Sequence, residues 1–381
     1  MSGVRESDVV IVGGGVAGAS AGHFLGRTGR RVTLLEAESA PGTHATGRSA
    51  ALFSEYYGNA VVRELTRASL AFYESPPAGF SPVAELLRPR GVLALGTPGT
   101  GREFDAAKAS GADAPQPVIE LDHEQALALC PALRPGAFDR ALYKPGARDI
   151  DTDAVLQGFL RGLKAAGGTV VTGARVHALT RHRGRWHAAT PAGEFAAPLV
   201  VDAAGAWADQ VAESAGVAAQ GLVAYRRTAA LVSLPTDRGS AGDIAGWPMI
   251  ADVADTFYAR PESGGLLVSP ADATPVPPGD ARPDERDVAL ALDRFRAVVD
   301  LPVRHVRRAW AGLRSSAADD TPVIGPDPAA PGFSWLAGLG GHGIQTAPAA
   351  GALLAALIAG NEPPAGLTGA VAGTTPARAD S

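Results

Sequence analysis

The sequence predicts a mixed α/β fold in which a parallel, doubly wound domain is interleaved with an α+β domain built on an antiparallel sheet. Three observations predict this fold. A glycine-rich strand, turn, helix and strand occupy residues 8–36, a second buried strand runs into a glycine turn at 198–207, and short strands dominate residues 225–311. Parallel units and antiparallel runs build separate layers, so the chain divides into two domains.

The first segment has the pattern of a Rossmann-like βαβ unit. Residues 9–12 are an unbroken β-branched run, typical of a strand buried on both faces, and residues 17–28 have a helical pattern. Glycines follow the strand at the G-x-G-x-x-G spacing, at Gly13, Gly15 and Gly18. In that order they allow a tight turn, a close backbone approach to a pyrophosphate, and close packing of the helix on the strand.

The same unit predicts a dinucleotide site. Val16 and Ala17 stand at the start of the helix, where unpaired N–H groups and the positive end of the helix dipole favour a phosphate. Glu36 ends the second strand about twenty residues further on, where its carboxylate can accept hydrogen bonds from a ribose. The pattern indicates FAD or NAD as the ligand.

Composition excludes several classes of protein. The net charge of −5, without a long Lys/Arg run, argues against a nucleic-acid partner. The single cysteine, Cys130, excludes an internal disulfide and a Cys-x-x-Cys redox pair, and indicates the cytoplasm. No His/Cys/Asp/Glu spacing predicts a metal site. Residues 1–7 leave no room for a signal peptide, and the apolar run 353–359 is too short for a transmembrane segment.

The remaining segments assign elements to the two domains. Helices are predicted at 52–71, 123–129, 151–166, 284–299 and after 346, and strands at 91–95, 169–172, from 176, 198–205, 228–234, 256–260, 265–269, 303–310 and 333–337. Residues 186–195 are predicted to form a hairpin with its turn near 192–193. The dinucleotide-binding domain is expected to comprise 1–86, 149–220 and 318–360, and the antiparallel-sheet domain 87–148 and 221–317. Residues 361–381 are predicted to be a disordered tail.

Several motifs together resemble one enzyme family. They lie at residues 13–18 with Glu36, and at 46–51, 149–153, 203–207, 256–258, 310–315 and 340–346. The sequence is similar to the FAD-dependent amino-acid oxidoreductases that include D-amino-acid oxidase, glycine oxidase and sarcosine oxidase, and looks closest to the bacterial D-arginine dehydrogenase branch. The resemblance covers residues 8–346.

This resemblance implies an extended, noncovalent FAD with its isoalloxazine between a FAD-binding and a substrate-binding domain. Some relatives attach the flavin to a cysteine near residues 310–315, where this chain has none. Residues 48–51 would line the flavin, Val176 would meet the adenine side, and residues 343–346 would approach the pyrimidine end. The full set implied is Gly13, Gly15, Val16, Ala17, Gly18, Glu36, Arg48, Ser49, Ala50, Ala51, Val176, Ala204, Gly205, Trp207, Gly341, Gly343, Ile344, Gln345 and Thr346.

The resemblance also implies oxidation of an amine by hydride transfer from the α-carbon to flavin N5, giving an imino acid that hydrolyses. Such a reaction depends chiefly on how the protein positions that carbon. Arg314 would bind the substrate carboxylate through paired N–H bonds, with contributions from Arg227, Tyr57 and Tyr258. The carbonyl of Gly341 would receive the amine.

Other roles stay open for some of these side chains. Arg226 stands beside Arg227 and would serve equally. Tyr57 and Tyr258 would also fit as half-buried core tyrosines. His342 replaces a tyrosine of the closest relatives and fits either a structural role or a place beside the flavin ring.

Departures from the arginine-specific relatives bear on the substrate. Those relatives carry a glutamate where this chain has Gly91, and a polar histidine where it has Leu52. The absence of this glutamate and histidine favours a neutral or hydrophobic D-amino acid as the substrate. Glu55 is expected to point to solvent rather than to take the place of the missing glutamate. The alternative is glycine or an N-substituted glycine, whose long substituent would enter the space opened at Gly91.

Two other classes of protein fit part of the sequence. A redox-inert FAD-binding assembly subunit would keep the cofactor motifs but not react with amines. An NAD-linked dehydrogenase fits residues 8–36 but leaves the glycine-rich turn near His342 unexplained. Whether dioxygen or a quinone accepts the electrons is left open by the sequence.

Overall fold

The computed structural model describes residues 3–83, 85–234, 244–262, 264–376 and 378. Its strands are β1 (Arg5–Glu6), β2 (Val9–Val12), β3 (Val32–Leu35), β4 (Leu52–Phe53), β5 (Leu87–Pro89), β6 (Val92–Gly96), β7 (Ile119–Leu121), β8 (Arg140–Lys144), β9 (Arg148–Ile150), β10 (Thr169–Val171), β11 (Ala178–His182), β12 (Arg185–Thr190), β13 (Gly193–Ala197), β14 (Leu199–Asp202), β15 (Val223–Ser233), β16 (Met249–Asp252), β17 (Tyr258–Glu262), β18 (Gly265–Ser269), β19 (Thr274–Pro275), β20 (His305–Ser316), β21 (Val323–Pro326) and β22 (Phe333–Ala337). Its α-helices are α1 (Val16–Gly26), α2 (Ala60–Glu74), α3 (Gly101–Ser110), α4 (His123–Leu129), α5 (Thr152–Ala165), α6 (Ala208–Ser214), α7 (Glu285–Val298), α8 (Gly343–Ala359) and α9 (Thr368–Thr374).

A six-stranded sheet forms the layer around the glycine-rich turn. Its order is β10-β3-β2-β14-β22-β21, and every pair is parallel except the last. The central strand β2 is fully buried, as its β-branched sequence predicts, and it lies between β3 and β14. The carboxyl ends of β2 and β14 therefore meet at one edge, where a ligand of a parallel sheet binds.

A second, larger sheet has the order β19-β15-β18-β17-β16-β6-β8-β7, with β20 paired to the outer side of β15. Its pairs are antiparallel apart from β6 with β16. One face packs on α4 and α7 around Phe295, and the other carries Tyr258 toward the first domain. The predicted mixed α/β fold is thereby confirmed.

A small sheet of β4, β9 and β5 joins the two layers. It pairs Leu52 with Asp149 and Leu87 with Ile150. The sheet thus straddles the domain bounds predicted at 86/87 and 148/149, and those bounds remain predictions.

Two segments differ from the predicted elements. The helix expected over 52–71 is preceded by the short strand β4 and starts only at Ala60, because the side chain of Asn59 caps it by accepting a hydrogen bond from Val62 N at 3.0 Å. The disordered tail predicted for 361–381 was wrong for the part that α9 occupies. Leu367 and Ala370 are buried in the core with α2, a tertiary contact with no local signal; residues 377 and 379–381 lie outside the described part.

Helix α8 is packed between α1 and α2. Pro348 lacks the N–H that would bind the carbonyl of Ile344, and the buried Tyr73 hydroxyl donates to that carbonyl instead. At Gly351 a Cβ would lie 2.1 Å from Ser20 Oγ, so the two helices can cross only where a glycine stands. None of the helices in the described residues is long and apolar enough to cross a membrane.

His23 is a buried polar residue within the core of the parallel domain. Phe24, Phe72, Phe80 and Phe159 surround its ring with centroid distances of 5.0–6.1 Å. Neither ring nitrogen has a hydrogen-bond partner among the residues described. Burial, assisted by the charge of Arg27, lowers the pKa of His23 to about 4, so the folded protein keeps the ring neutral.

This burial predicts acid sensitivity of the fold. Between pH 6.5 and about 4 the unfolded chain binds a proton at His23 that the folded chain does not, so stability falls as the pH decreases. The effect amounts to ~3 kcal/mol at its limit. We expect His23→Leu to lose less free energy of unfolding than the wild type between pH 7 and 4.5, measured by urea denaturation of the FAD-saturated protein. The exposed control His182→Leu should follow the wild type; equal losses in all three proteins would contradict the assignment.

Candidate active site

A cavity of about 480 Å³ runs from the carboxyl ends of the parallel strands to the face of the second sheet. Most residues predicted to bind the cofactor line it: Gly13, Gly15, Val16, Ala17, Glu36, Arg48, Ser49, Ala50, Val176, Ala204, Gly205, Trp207, Gly341, Gly343 and Ile344. Arg227, Tyr258 and Arg314 line its far end. One continuous space therefore joins the glycine-rich turn to the predicted carboxylate-binding residues.

The glycine-rich turn fits a dinucleotide phosphate. Gly13 has φ +108°, and a Cβ there would lie 2.4 Å from Ala203 O. A Cβ on Gly18 would lie 1.9 Å from Gly13 O, so Gly18 serves the packing of α1 and does not line the cavity. A Cβ on Gly15 would lie 3.3 Å from Thr46 Oγ1, so a side chain there would crowd the turn that the bare glycine backbone leaves to a ligand.

Glu36 lies at the edge of the cavity with its carboxylate held in place. Oε2 accepts a hydrogen bond from Gly14 N and Oε1 from Glu38 N, both at 2.8 Å. Only 7% of the residue is exposed. Because a carboxylate oxygen has more than one lone pair, both oxygens can accept further bonds from a ribose.

Besides Gly18, three predicted cofactor residues do not line the cavity. Gln345 points away from it: Oε1 accepts from Ser54 N and Nε2 donates to Thr66 Oγ1, each at 3.0 Å. Thr346 is fully buried and donates its hydroxyl to His342 O at 2.9 Å. Ala51 offers its carbonyl to Arg260 at 3.3 Å. In the first turn of α8, Gly343 and Ile344 face the cavity, so the next two side chains face α2 and β4 instead.

Arg48 lines the cavity but its guanidinium is occupied elsewhere. Nη1 donates to Ala281 O at 2.9 Å and to Ala311 O at 3.1 Å, and Nη2 pairs with Asp280. Arg48 therefore ties the segment after β3 to the second domain across the cavity, rather than offering its charge to a ligand.

Arg314 forms the centre of the predicted substrate site. A Cβ on Gly341 would lie 2.8 Å from Arg314 Nη1, so the guanidinium packs directly on the turn before α8. Burial works against its charge, but Tyr258, Tyr57 and Asp255 outweigh that effect and raise the pKa of Arg314. The site thus holds a permanently charged and largely buried cation.

The adjacent arginines of β15 face opposite sides of the sheet, as strand geometry requires. Arg226 pairs with Asp287 at 2.7 Å and with Asp272 at 3.6 Å, away from the cavity. Arg227 lines the cavity with Nη1 4.0 Å from Asp255 Oδ2, and its Nε has no partner in the described chain. Of the two arginines, the structure brings Arg227 to the site.

The two tyrosines occupy different surroundings. Tyr258 is 5% exposed and lines the cavity, whereas Tyr57 is 41% exposed and does not line it. Burial of its hydroxyl end raises the pKa of Tyr57, against the opposing charge of Arg314. Its hydroxyl lies 3.5 Å from Asp255 Oδ2 and its ring 4.8 Å from that of His342. Neither tyrosine is a plain core residue.

His342 precedes α8 and stands beside Arg314. Burial first, and then the charge of Arg314, lower the pKa of His342 to about 4. Its Nε2 is buried without a hydrogen-bond partner among the residues described. At neutral pH the imidazole is therefore uncharged, and its Nε2 points toward Gly58, where a Cβ would lie 3.2 Å from it.

Asp255 and Thr46 are site residues that the sequence analysis missed. Asp255 contacts Tyr57 and Arg227 from the turn between β16 and β17, where it has φ +52°. An acid in a tight turn just before Tyr258 is the signal that was available. Thr46 Oγ1 accepts from Val16 N at 3.0 Å and so satisfies one N–H of the first turn of α1.

Two expectations about the substrate pocket were wrong. Gly91 has φ +72°, and a Cβ there would lie 2.6 Å from the Tyr143 hydroxyl, so the direction expected to be open is filled. Glu55 is 5% exposed rather than solvent-facing, and its burial raises its pKa despite Arg67 and Arg148 nearby. A glycine stands at position 91 because the backbone there has a positive φ, and not to make room for a substituent of the substrate.

The residues present fit a noncovalent cofactor. Cys130 is buried in the core beneath the second sheet, and the cavity is lined by no cysteine. Within the described ranges no group of three or more His, Cys, Asp or Glu side chains could hold a metal ion.

Known proteins share this architecture. Dimethylglycine dehydrogenase of Mus musculus is 25% identical over 94% of this chain and 43% of its own length, so this chain spans less than half of that relative. Glycine oxidase from Geobacillus kaustophilus (strain HTA426) is 26% identical over 92% of each chain. The crystal structure of G. kaustophilus glycine oxidase matches with a TM-score of 0.83 at 22% identity, over 98% of this chain and 99% of that chain. L-proline dehydrogenase from P. horikoshii gives 0.80 at 22% identity, over 95% and 96%.

A family profile described as FAD dependent oxidoreductase (DAO) matches residues 8–357, which include both sheets and the whole cavity. This match confirms the family and the cofactor that the motifs predicted. The chain belongs to the DAO family of FAD-dependent oxidoreductases.

Proposed function

We propose that this protein oxidises an amine that carries a carboxylate, by removing a hydride from the carbon between the two groups. The observation that carries the proposal is the buried Arg314 cation, which packs on Gly341 at the end of the FAD cavity. A guanidinium enclosed in this way favours a bound carboxylate strongly, because the pair forms charge-assisted, paired hydrogen bonds.

The site residues would position the substrate rather than react with it. FAD, when bound noncovalently, accepts the hydride. Arg314 and Arg227 hold the carboxylate, and the hydroxyls of Tyr57 and Tyr258 offer further donors to it. Holding the reacting carbon in one orientation is the largest contribution that a protein can make to such a transfer.

The amine is assigned to the opposite side of the site. The Gly341 carbonyl would accept a hydrogen bond from the amine, because Gly341 lines the cavity and belongs to the turn that supports Arg314. An amine donates a hydride from its α-carbon only when its nitrogen lone pair is free. A neutral His342 beside a fixed cation disfavours a protonated amine and so supports the reactive form.

Two kinds of substrate fit this arrangement. A D-amino acid would place its side chain on the apolar surface of Leu52, Met249 and Ala251. Glycine or an N-substituted glycine is supported by the relatives, which include a glycine oxidase and a dimethylglycine dehydrogenase. The direction of Gly91 is filled, so an N-substituent would have to occupy this same surface.

Anaerobic flavin reduction tests the proposal. We expect the yellow holoprotein to be bleached by at least one member of a panel of D-amino acids, glycine, sarcosine and N-alkylglycines. Bleaching by carboxylated amines but not by the matching alkylamines would support the carboxylate clamp. If none of these amines reduces the flavin, the proposal is wrong.

Air or a quinone is then admitted to the reduced protein, and the rate of flavin reoxidation with each identifies the electron acceptor.

Removing the Arg314 cation should abolish carboxylate binding. For Arg314→Met we expect KM to rise about 100-fold or more, since a charge-assisted pair is lost in a buried site. FAD content should be unchanged. Arg308→Met, at an exposed position of the same strand, is the matched control and should keep the wild-type KM. A wild-type KM in Arg314→Met would refute the clamp.

The contact between Gly341 and Arg314 gives a second test. In Gly341→Ala the new methyl group would meet the guanidinium at 2.8 Å, so Arg314 must shift away from the substrate. We expect a KM increase of about 10-fold with bound FAD retained. Gly136→Ala is the control, because a Cβ there meets nothing within 4 Å. Equal kinetics for the two variants would show that this turn does not position Arg314.

A further inference from the structure

Lys144 is a half-buried cation that the proposed reaction does not use. It ends β8 and forms no ion pair or side-chain hydrogen bond within the part of the chain that the structure describes. Burial lowers its pKa, and Asp255 is the charged group that opposes this effect. Asp255 already contacts Tyr57 and Arg227, so it is shared among several cationic and polar groups.

Strand register places Lys144 on the side of the sheet that faces the substrate. Lys144 lies opposite Val92, and Val92 opposite Met249. Ala251 follows Met249 by two residues in β16 and lies opposite Tyr258 of β17. Because residues two apart in a strand share a face, Lys144 and Met249 lie on the same face as Tyr258.

The surface between Tyr258 and Lys144 is apolar. Met249 and Ala251 pack against Tyr258 on one side and against Val92 on the other, and both are only partly buried. Leu52 covers the Val92 side. The cationic groups therefore stand at two ends of one surface, with Arg314 and Arg227 at one end and Lys144 at the other.

The charges of this region do not balance. Arg314, Arg227 and Lys144 contribute three cations, whereas Asp255 is the anion that contacts or acts on each of them. One substrate carboxylate compensates one cation. A second anionic group on the substrate would compensate another, and would offset the cost of burying the Lys144 ammonium.

We propose that the substrate carries a second anionic group, most simply a carboxylate, which Lys144 binds at the far end of the apolar surface from Arg314. This rests on the proposed amine oxidation and specifies its substrate class. The compound would be an acidic amino acid or a glycine whose N-substituent ends in an acid. The sequence-based preference for a neutral side chain would then be wrong, because it considered the lost glutamate at Gly91 and not the cation at Lys144.

Binding of unreactive acids tests the inference without turnover. The FAD-loaded protein is titrated with succinate and glutarate, and with butyrate and valerate as monocarboxylates of equal chain length, by the change in flavin absorbance. We expect the dicarboxylates to bind about 30-fold more tightly, as a hydrogen bond to a charged group would give. In Lys144→Met the difference should fall below about 3-fold. The control Lys164→Met, exposed on α5, should retain it.

Turnover separates this inference from the proposed function. D-aspartate is compared with D-asparagine, and iminodiacetate with N-ethylglycine, in anaerobic flavin reduction. Preference for the acidic member of either pair, lost in Lys144→Met, supports the inference. Flavin reduction by carboxylated amines without that preference overturns it and leaves the proposed function standing. If no amine reduces the flavin, the proposed function fails, and the dicarboxylate titration of the wild type alone still decides whether Lys144 binds an acid.

Discussion

The buried charge of Arg314 is the constraint on which the arrangement of the site depends. A cation enclosed by protein is stable only where anions, hydroxyl groups and carbonyl dipoles compensate it. The second sheet provides Tyr258 and Asp255, the loop before α2 provides Tyr57, and the turn before α8 provides the surface on which the guanidinium packs. Residues beside both large sheets therefore contribute to one site.

Small residues let these segments approach each other. Gly13 accepts the close contact of Ala203 where two parallel strands end, and Gly341 accepts the Arg314 guanidinium. Gly351 lets α8 pack against α1, so the glycine-rich turn before α1 and the turn before α8 belong to one packed unit. The cavity reaches from the turn before α1 to the turn before α8. Because the two helices are packed together, the distance between its two ends is fixed.

The sequence predicted what depends on local pattern and missed what depends on tertiary contact. The βαβ unit, Glu36 and Arg314 follow from spacing and from motif, and the structure brings each of them to the cavity. To choose between Arg226 and Arg227, one must know which face of β15 borders the cavity, and the sequence of the strand alone does not define this. Gln345 and Thr346 were predicted to contact the cofactor but do not, because a helix directs successive side chains to different sides. The C-terminal helix α9 was missed because its contacts are distant in sequence: Ala370 N donates to Glu64 Oε1, 306 residues earlier.

The neutral state of His342 follows from burial first and from the same charge second. A proton on this buried ring would lose its hydration and would also stand beside the Arg314 guanidinium, so the pKa of His342 decreases to about 4. Arg314 keeps its charge and His342 stays neutral, so the two side chains differ in charge at the turn before α8. Under the proposed function, this cation would hold the carboxylate and the Gly341 carbonyl would meet the amine, so that the carbon between them is fixed in position. Orientation of the substrate would then need no acid or base of intermediate pKa, because a permanent cation would set the position of the anion.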